Sequence, residues 1–199
     1  MSLLKVCIIT VLIGLAGSPV RGQTFQSLHS FAADGSDGTE PYATLTLGPD
    51  GALYGTTTEG GVHDGGAAFK VTVDGDVTIL GDFEPSTTGR RAFARMVNIG
   101  DGFLYGVTER NRNIAGDPSG TVYKLAPNGG ISVVFQLPSG GSIKPENPRA
   151  LTSGEANTLH VLGTDYPGLW RVPLDETPAT VAYLFDDGEI DGYSAWSLI

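Results

Sequence analysis

The side chains of this chain that could do chemistry are carboxylates in short, polar, glycine-containing segments. Four such segments cover residues 34–40, 59–64, 109–113 and 186–192, and acidic residues and glycines dominate three of them. Carboxylates can bind cations or act as general acids and bases. These four segments are therefore the first candidates for a functional site.

Closely spaced carboxylates in two of the segments predict a calcium site. Ca²⁺ takes roughly six to eight oxygen ligands, which neighbouring carboxylates and loop carbonyls can supply. The candidate ligands are Asp34, Asp37, Glu40, Asp187 and Asp191. Their spacing does not match an EF-hand loop, so solvated turn residues are the alternative interpretation. We expect no other cofactor.

Candidate catalytic residues come from the other two segments: Glu59, His63, Asp64 and Glu109. Glu59 and Asp64 could serve as acid and base on a polysaccharide if their carboxyl groups face one cleft at roughly 5–10 Å. The sequence has no Gly-x-Ser-x-Gly and no His-Glu-x-x-His, and its one cysteine is Cys7. These observations favour a binding or structural module over an enzyme.

The N-terminus predicts export from the cell. Lys5 precedes an apolar run over residues 6–16, and small and turn-forming residues follow up to Gly22. This is the layout of a secretory signal peptide, and the run is too short to span a bilayer. We expect residues 1–22 to be removed and residues 23–199 to be secreted, or held at the cell surface. An uncleaved anchor is the alternative.

The overall charge limits the classes of partner. Removing residues 1–22 also removes Lys5 and Arg21, so the formal charge falls from −10 to −12. An acidic surface disfavours binding to nucleic acid and to anionic lipid. Carbohydrate and cell-surface proteins remain as partner classes. Three tyrosines beside polar loops could contact a sugar, or could pack between structural units instead: Tyr42, Tyr166 and Tyr193.

A sequence repeat determines where the four polar segments lie in the fold. Residues 51–56 (Gly-Ala-Leu-Tyr-Gly-Thr) recur at 102–107 (Gly-Phe-Leu-Tyr-Gly-Val), and residues 66–71 (Gly-Ala-Ala-Phe-Lys-Val) recur at 120–125 (Gly-Thr-Val-Tyr-Lys-Leu). Weaker copies follow at 158–164 and 168–172. The period is about fifty residues, which is typical of stacked repeats.

Each repeat contains four strand signals separated by glycine-rich turns. In the first repeat they cover residues 43–48, 52–57, 67–73 and 77–83. Four antiparallel strands at this period predict an all-β, β-propeller-like array of blades. The repeats span about 43–83, 92–137 and 148–185, with a partial repeat at 194–199. Tight Asp-Gly turns would occupy one face and the four polar segments the other.

These motifs resemble the GloVer tandem repeat. The resemblance is carried by Asp-Gly-Ala-Leu-Tyr-Gly-Thr-Thr at 50–57, Glu-Gly-Gly at 59–61 and Gly-x-x-Phe-Lys-Val at 66–71. The third copy departs from the pattern, with His160 in place of Tyr and Trp170 in place of Phe. The resemblance covers essentially all of residues 23–199. It implies a secreted bacterial repeat protein and no particular activity.

The strand count predicts an incomplete array. One fourth-type strand at 25–31 precedes the three full blades, and one first-type strand at 194–199 follows them. Propellers close with roughly four to eight blades, so we expect the chain to be the N-terminal part of a longer protein or a truncated gene product. An open arc completed by oligomerisation or strand exchange is the alternative.

Overall fold

The structure, a computed structural model, describes residues 27–32, 34–109, 120–137, 147–155, 157–163, 168–175 and 178–184. Within these ranges every regular element is a β-strand. In the same residues there is no helix long and apolar enough to cross a membrane.

Twelve strands form three antiparallel sheets, which we call blades 1, 2 and 3. Blade 1 contains β1 (Thr46–Leu47), β2 (Leu53–Thr56), β3 (Ala67–Val71) and β4 (Val77–Asp82). Blade 2 contains β5 (Val97–Asn98), β6 (Leu104–Glu109), β7 (Gly120–Leu125) and β8 (Ile131–Gln136). Blade 3 contains β9 (Pro148–Ser153), β10 (Thr158–Gly163), β11 (Gly168–Pro173) and β12 (Thr180–Leu184).

Strand order in each blade follows the chain, so each blade is a four-stranded meander. The prediction of an all-β, propeller-like fold with four strands per repeat is confirmed. The first strand of blade 1 is shorter than the predicted 43–48, because only Thr46 and Leu47 pair with β2.

The two predicted terminal strands have different outcomes. Of the predicted strand 25–31, the described residues 27–31 do not form a strand. None of the described strands pairs with it. It packs by side chains instead, with the Phe31 ring 5.2 Å from the Phe69 ring. The predicted strand 194–199 lies outside the described residues.

The aspartate of the repeated Asp-Gly turn also bonds the tyrosine four residues later. The Asp50 carboxylate accepts the Ala52 backbone N–H at 3.2 Å and the Tyr54 hydroxyl at 2.9 Å. Asp101 makes the equivalent bonds to the Phe103 N–H at 3.1 Å and the Tyr105 hydroxyl at 2.6 Å. One carboxylate thus closes the turn and fixes the tyrosine of the next strand.

The glycine after that tyrosine is required by a cross-strand aromatic ring. Gly55 pairs with Phe69, and Gly106 pairs with Tyr123. A Cβ atom on Gly106 would lie 2.2 Å from the Tyr123 hydroxyl oxygen, so no larger residue fits under the ring. Blade 3 places Val161 opposite Trp170 at the same position.

Apolar side chains fill the two junctions between neighbouring blades, as sheet-on-sheet packing requires. The junction of blades 1 and 2 buries Ala52, Tyr54, Ala68, Phe83, Ala92, Met96, Leu104, Tyr123 and Leu125. The junction of blades 2 and 3 buries Ala94, Tyr105, Val107, Val122, Leu137, Leu151, Leu159, Val161, Trp170 and Val172. This stacking brings the first strands of the blades together, since β5 contacts both β1 and β9.

Candidate binding groove

A groove runs along the first strands of the three blades. Its volume is about 550 Å³, within the range of roughly 300–1,000 Å³ that small-ligand sites occupy. We call it the inner groove, and its lining residues belong to segments 42–47, 93–98 and 149–152. Each blade contributes one segment, so the groove is a product of blade stacking.

An aromatic and cationic stack crosses the groove. The rings of Tyr42 and Phe93 form a T-shaped pair with a centroid distance of 5.5 Å. The guanidinium of Arg149 lies over the Phe93 ring, 4.0 Å from its centroid. This is a cation–π contact. Tyr42 itself is 73% exposed. The stack therefore ends in an aromatic ring that a ligand can reach.

Backbone geometry explains why these three side chains align. Each lies two residues after a non-glycine residue with left-handed backbone: Glu40 (φ 57°), Arg91 (φ 53°) and Asn147 (φ 48°). Left-handed backbone is uncommon outside glycine. Its recurrence at one position in all three blades gives each chain segment the same sharp entry into the first strand.

Two ion pairs join neighbouring blades beside the groove. The Glu59 carboxylate lies 2.9 Å from the Arg91 guanidinium, and the Glu109 carboxylate lies 2.6 Å from the Arg149 guanidinium. The Glu59 side chain is 42% exposed, whereas that of Glu109 is 8% exposed. Arg149 therefore links the buried pair to the aromatic stack.

Two of the four polar segments meet in the structure. Thr39 and Glu59 form an antiparallel bridge, and the Gly61 N–H bonds the Gly35 carbonyl oxygen at 2.8 Å. Segments 34–40 and 59–64 are thus in direct contact.

The structure also locates the four candidate catalytic residues. Glu59 and Glu109 occupy successive blade junctions and face Arg91 and Arg149 respectively. The Asp64 carboxylate accepts the Gly60 N–H at 3.2 Å, and so it closes its own loop. His63 is exposed on that loop. Glu59 and Asp64, the predicted acid and base, thus make separate contacts, with Arg91 and with the Gly60 N–H.

The candidate calcium ligands in segment 34–40 bond within their own loop. Asp34 accepts the Ser36 N–H at 3.0 Å, and Asp37 accepts the Ala32 N–H at 2.7 Å and contacts the His29 ring nitrogen at 2.9 Å. The Ala32 N–H is the main cause of a lowered pKa at Asp37.

Glu40, the third candidate ligand of that segment, is exposed. The described residues contain no group of three or more His, Cys, Asp or Glu side chains placed to hold a metal ion. Asp187 and Asp191 lie outside them.

Among the tyrosines predicted to contact sugar, Tyr42 lines the inner groove, while Tyr166 and Tyr193 lie outside the described residues. Sequence reasoning missed Phe93, Arg95 and Arg149, which also line the groove. Aligning the three repeats places Phe93 and Arg149 at the position of Tyr42 and would have grouped them. Nothing in the sequence marks Arg95.

Two solved structures resemble this chain in fold. One is a catalytically inactive virginiamycin B lyase from Staphylococcus aureus with quinupristin, at 19% identity and a TM-score of 0.52. The other is a structural genomics protein of unknown function from Bacteroides thetaiotaomicron, at 16% identity and a TM-score of 0.52. Each alignment covers 77% of this chain but only 44% and 33% of the two neighbours. These likenesses show a propeller-like fold alone.

No curated protein matches the sequence. A family model does, over residues 17–169, which contain blades 1 and 2 and most of blade 3. This agrees with the repeat motifs, the Asp–Tyr turns and the glycines beneath the aromatic rings. The chain belongs to the Gloeobacter/Verrucomicrobia repeat family.

Proposed function

We propose that this chain is an extracellular binding module that holds a carbohydrate in the inner groove. The observation that carries the proposal is the exposed ring of Tyr42 at the end of the stack with Phe93. Ligand sites are concave and are lined largely by apolar and aromatic side chains. Sugar rings present flat C–H faces that pack on aromatic rings.

Export is the second element of the proposal. The signal-type sequence at residues 1–22 supports it, and a mature chain without cysteine needs no disulfide to fold in that compartment. Expression of the full chain in a bacterium should release a protein that begins at Gln23. Mass spectrometry of the exported protein checks this, and a product that retains residues 1–22 contradicts it.

Binding is tested by affinity electrophoresis in gels that contain soluble xylan, mannan, dextran or polygalacturonate. We expect at least one polymer to retard the wild-type chain and Tyr42→Ala to lose most of that retardation. Tyr42→Phe keeps the ring and should keep the retardation. Val73→Ala, an exposed residue of blade 1 outside the groove, is the matched control. Binding that survives Tyr42→Ala, or no retardation by any polymer, would rule out this groove as the carbohydrate site.

A further inference from the structure

The inner groove differs in charge from the rest of the molecule. The chain carries 22 acidic and 12 basic residues. The residues that line the groove include Arg95 and Arg149 and no aspartate or glutamate. A locally basic groove on an acidic chain is a feature of anion recognition.

Arg95 is a cation without a carboxylate partner among the described residues. Its side chain is exposed, and its Nε donates to the Thr46 hydroxyl at 3.4 Å. Arg95 lines the groove, and its contact with Thr46 uses only Nε. A guanidinium has five donors in a planar fork that fits a carboxylate with two parallel bonds.

Arg149 is positioned differently. Glu109 holds its Nη2 at 2.6 Å, and the guanidinium packs over the Phe93 ring. Glu109 is not among the residues that line the groove, so its charge lies behind Arg149. Arg149 can still donate from its remaining nitrogens in a fixed orientation.

From this arrangement we infer that the ligand is a carboxylate-bearing sugar of the uronic acid type. The sugar face packs on Tyr42, and its carboxylate binds the fork of Arg95. This inference rests on the proposed function, because it names the ligand class of the same groove.

The test compares tri-galacturonate with the neutral trisaccharide made by reducing its carboxyl groups, using calorimetric titration of the full chain. We expect the acid to bind about tenfold or more tightly than the neutral sugar, since charge-assisted hydrogen bonds are roughly twice as strong as neutral ones. Raising the salt concentration should reduce this preference, because salt screens exposed charges.

Arg95→Gln should lower the affinity for the acid about tenfold and that for the neutral sugar by much less, so that the preference for the acid is lost. Arg171→Gln removes an exposed arginine of blade 3 that does not line the inner groove, and it should change neither affinity. Equal affinities for the two sugars, with binding still dependent on Tyr42, overturn the acidic-sugar inference and keep the binding module. Absence of binding to both sugars and to all four polymers overturns both.

Discussion

Blades 1 and 2 carry equivalent side chains on the same face, but the surroundings of that face differ. On blade 2 this face packs against blade 1. On blade 2 these side chains are Met96, Leu104, Tyr123 and Leu125, and all four are buried in the junction. On blade 1 the equivalent residues are Leu45, Leu53, Phe69 and Val71. Leu104 is fully buried, whereas Leu53 is 38% exposed.

This difference shows that the repeat sequence encodes a stacking surface. How much that surface stabilises the fold depends on whether a neighbouring blade packs against it. Blade 2 has a neighbour on this face. On blade 1 the segment 27–32 covers Phe69 with the ring of Phe31. Leu45, Leu47 and Leu53 remain exposed. Equivalent substitutions in the two blades measure this contribution directly.

The largest effect is expected for leucine truncation. Leu104→Ala should lower the free energy of unfolding by about 2–5 kcal/mol, because it leaves a cavity in a packed junction. Leu53→Ala removes the same atoms at a partly exposed site and should lower it by less than about 1.5 kcal/mol. Chemical denaturation of both variants checks the comparison. Similar losses in the two variants would show that the face of blade 1 is covered as well as that of blade 2.

A second comparison concerns the ion pairs at the two junctions. Glu109→Gln should destabilise the chain by about 1.5–3 kcal/mol, because the buried Arg149 pair loses its charge-assisted bond. Glu59→Gln breaks a more exposed pair with Arg91 and should lower the free energy of unfolding by no more than about 1 kcal/mol.

Thermal unfolding at low and at high salt measures both effects. Only the Glu59 pair should weaken appreciably in salt, since exposed charges are screened more than buried ones. Equal losses in the two variants contradict the difference in burial.

A third comparison uses pH to test the burial of the junction tyrosines. Burial raises the pKa of Tyr54, Tyr105 and Tyr123, and acceptance by Asp50 and Asp101 raises it further for the first two. Their stabilising contribution is complete below about pH 10, the pKa of an unfolded tyrosine. It falls as the pH rises from there towards the folded pKa, by about 1.4 kcal/mol per pH unit for each group.

Tyr123→Phe should therefore make the loss of stability above pH 10 shallower. Denaturant midpoints between pH 9 and 11.5, about the range over which an unfolded tyrosine ionises, check this. An unchanged slope for Tyr123→Phe would mean that its hydroxyl ionises without unfolding.

Local patterns were sufficient to predict most of the fold. The Asp-Gly turns, the Leu-Tyr-Gly segments and the alternating apolar residues are short-range signals. They placed β2, β3 and β4 of blade 1 within about two residues. The strand predicted at 25–31 failed over its described part. Strand formation needs a hydrogen-bonded neighbour, which a local pattern cannot guarantee.

The candidate site was harder to predict. Tyr42 was identified because an aromatic residue beside a polar loop is visible in the sequence. Arg95 and Arg149 were not, because an arginine acquires its role from what it contacts. Glu59 and Glu109 were expected to be candidate catalytic groups, and their arginine partners lie 32 and 40 residues away along the chain.

By itself the sequence determined the family, the four-stranded repeat and the turn chemistry, because each depends on residues close together in the chain. Only the tertiary structure decided which carboxylates meet arginines and which aromatic ring stays exposed. It also decided that the first strands form a basic groove on an acidic molecule. Those outcomes depend on stacking three blades, which brings residues about fifty positions apart into contact.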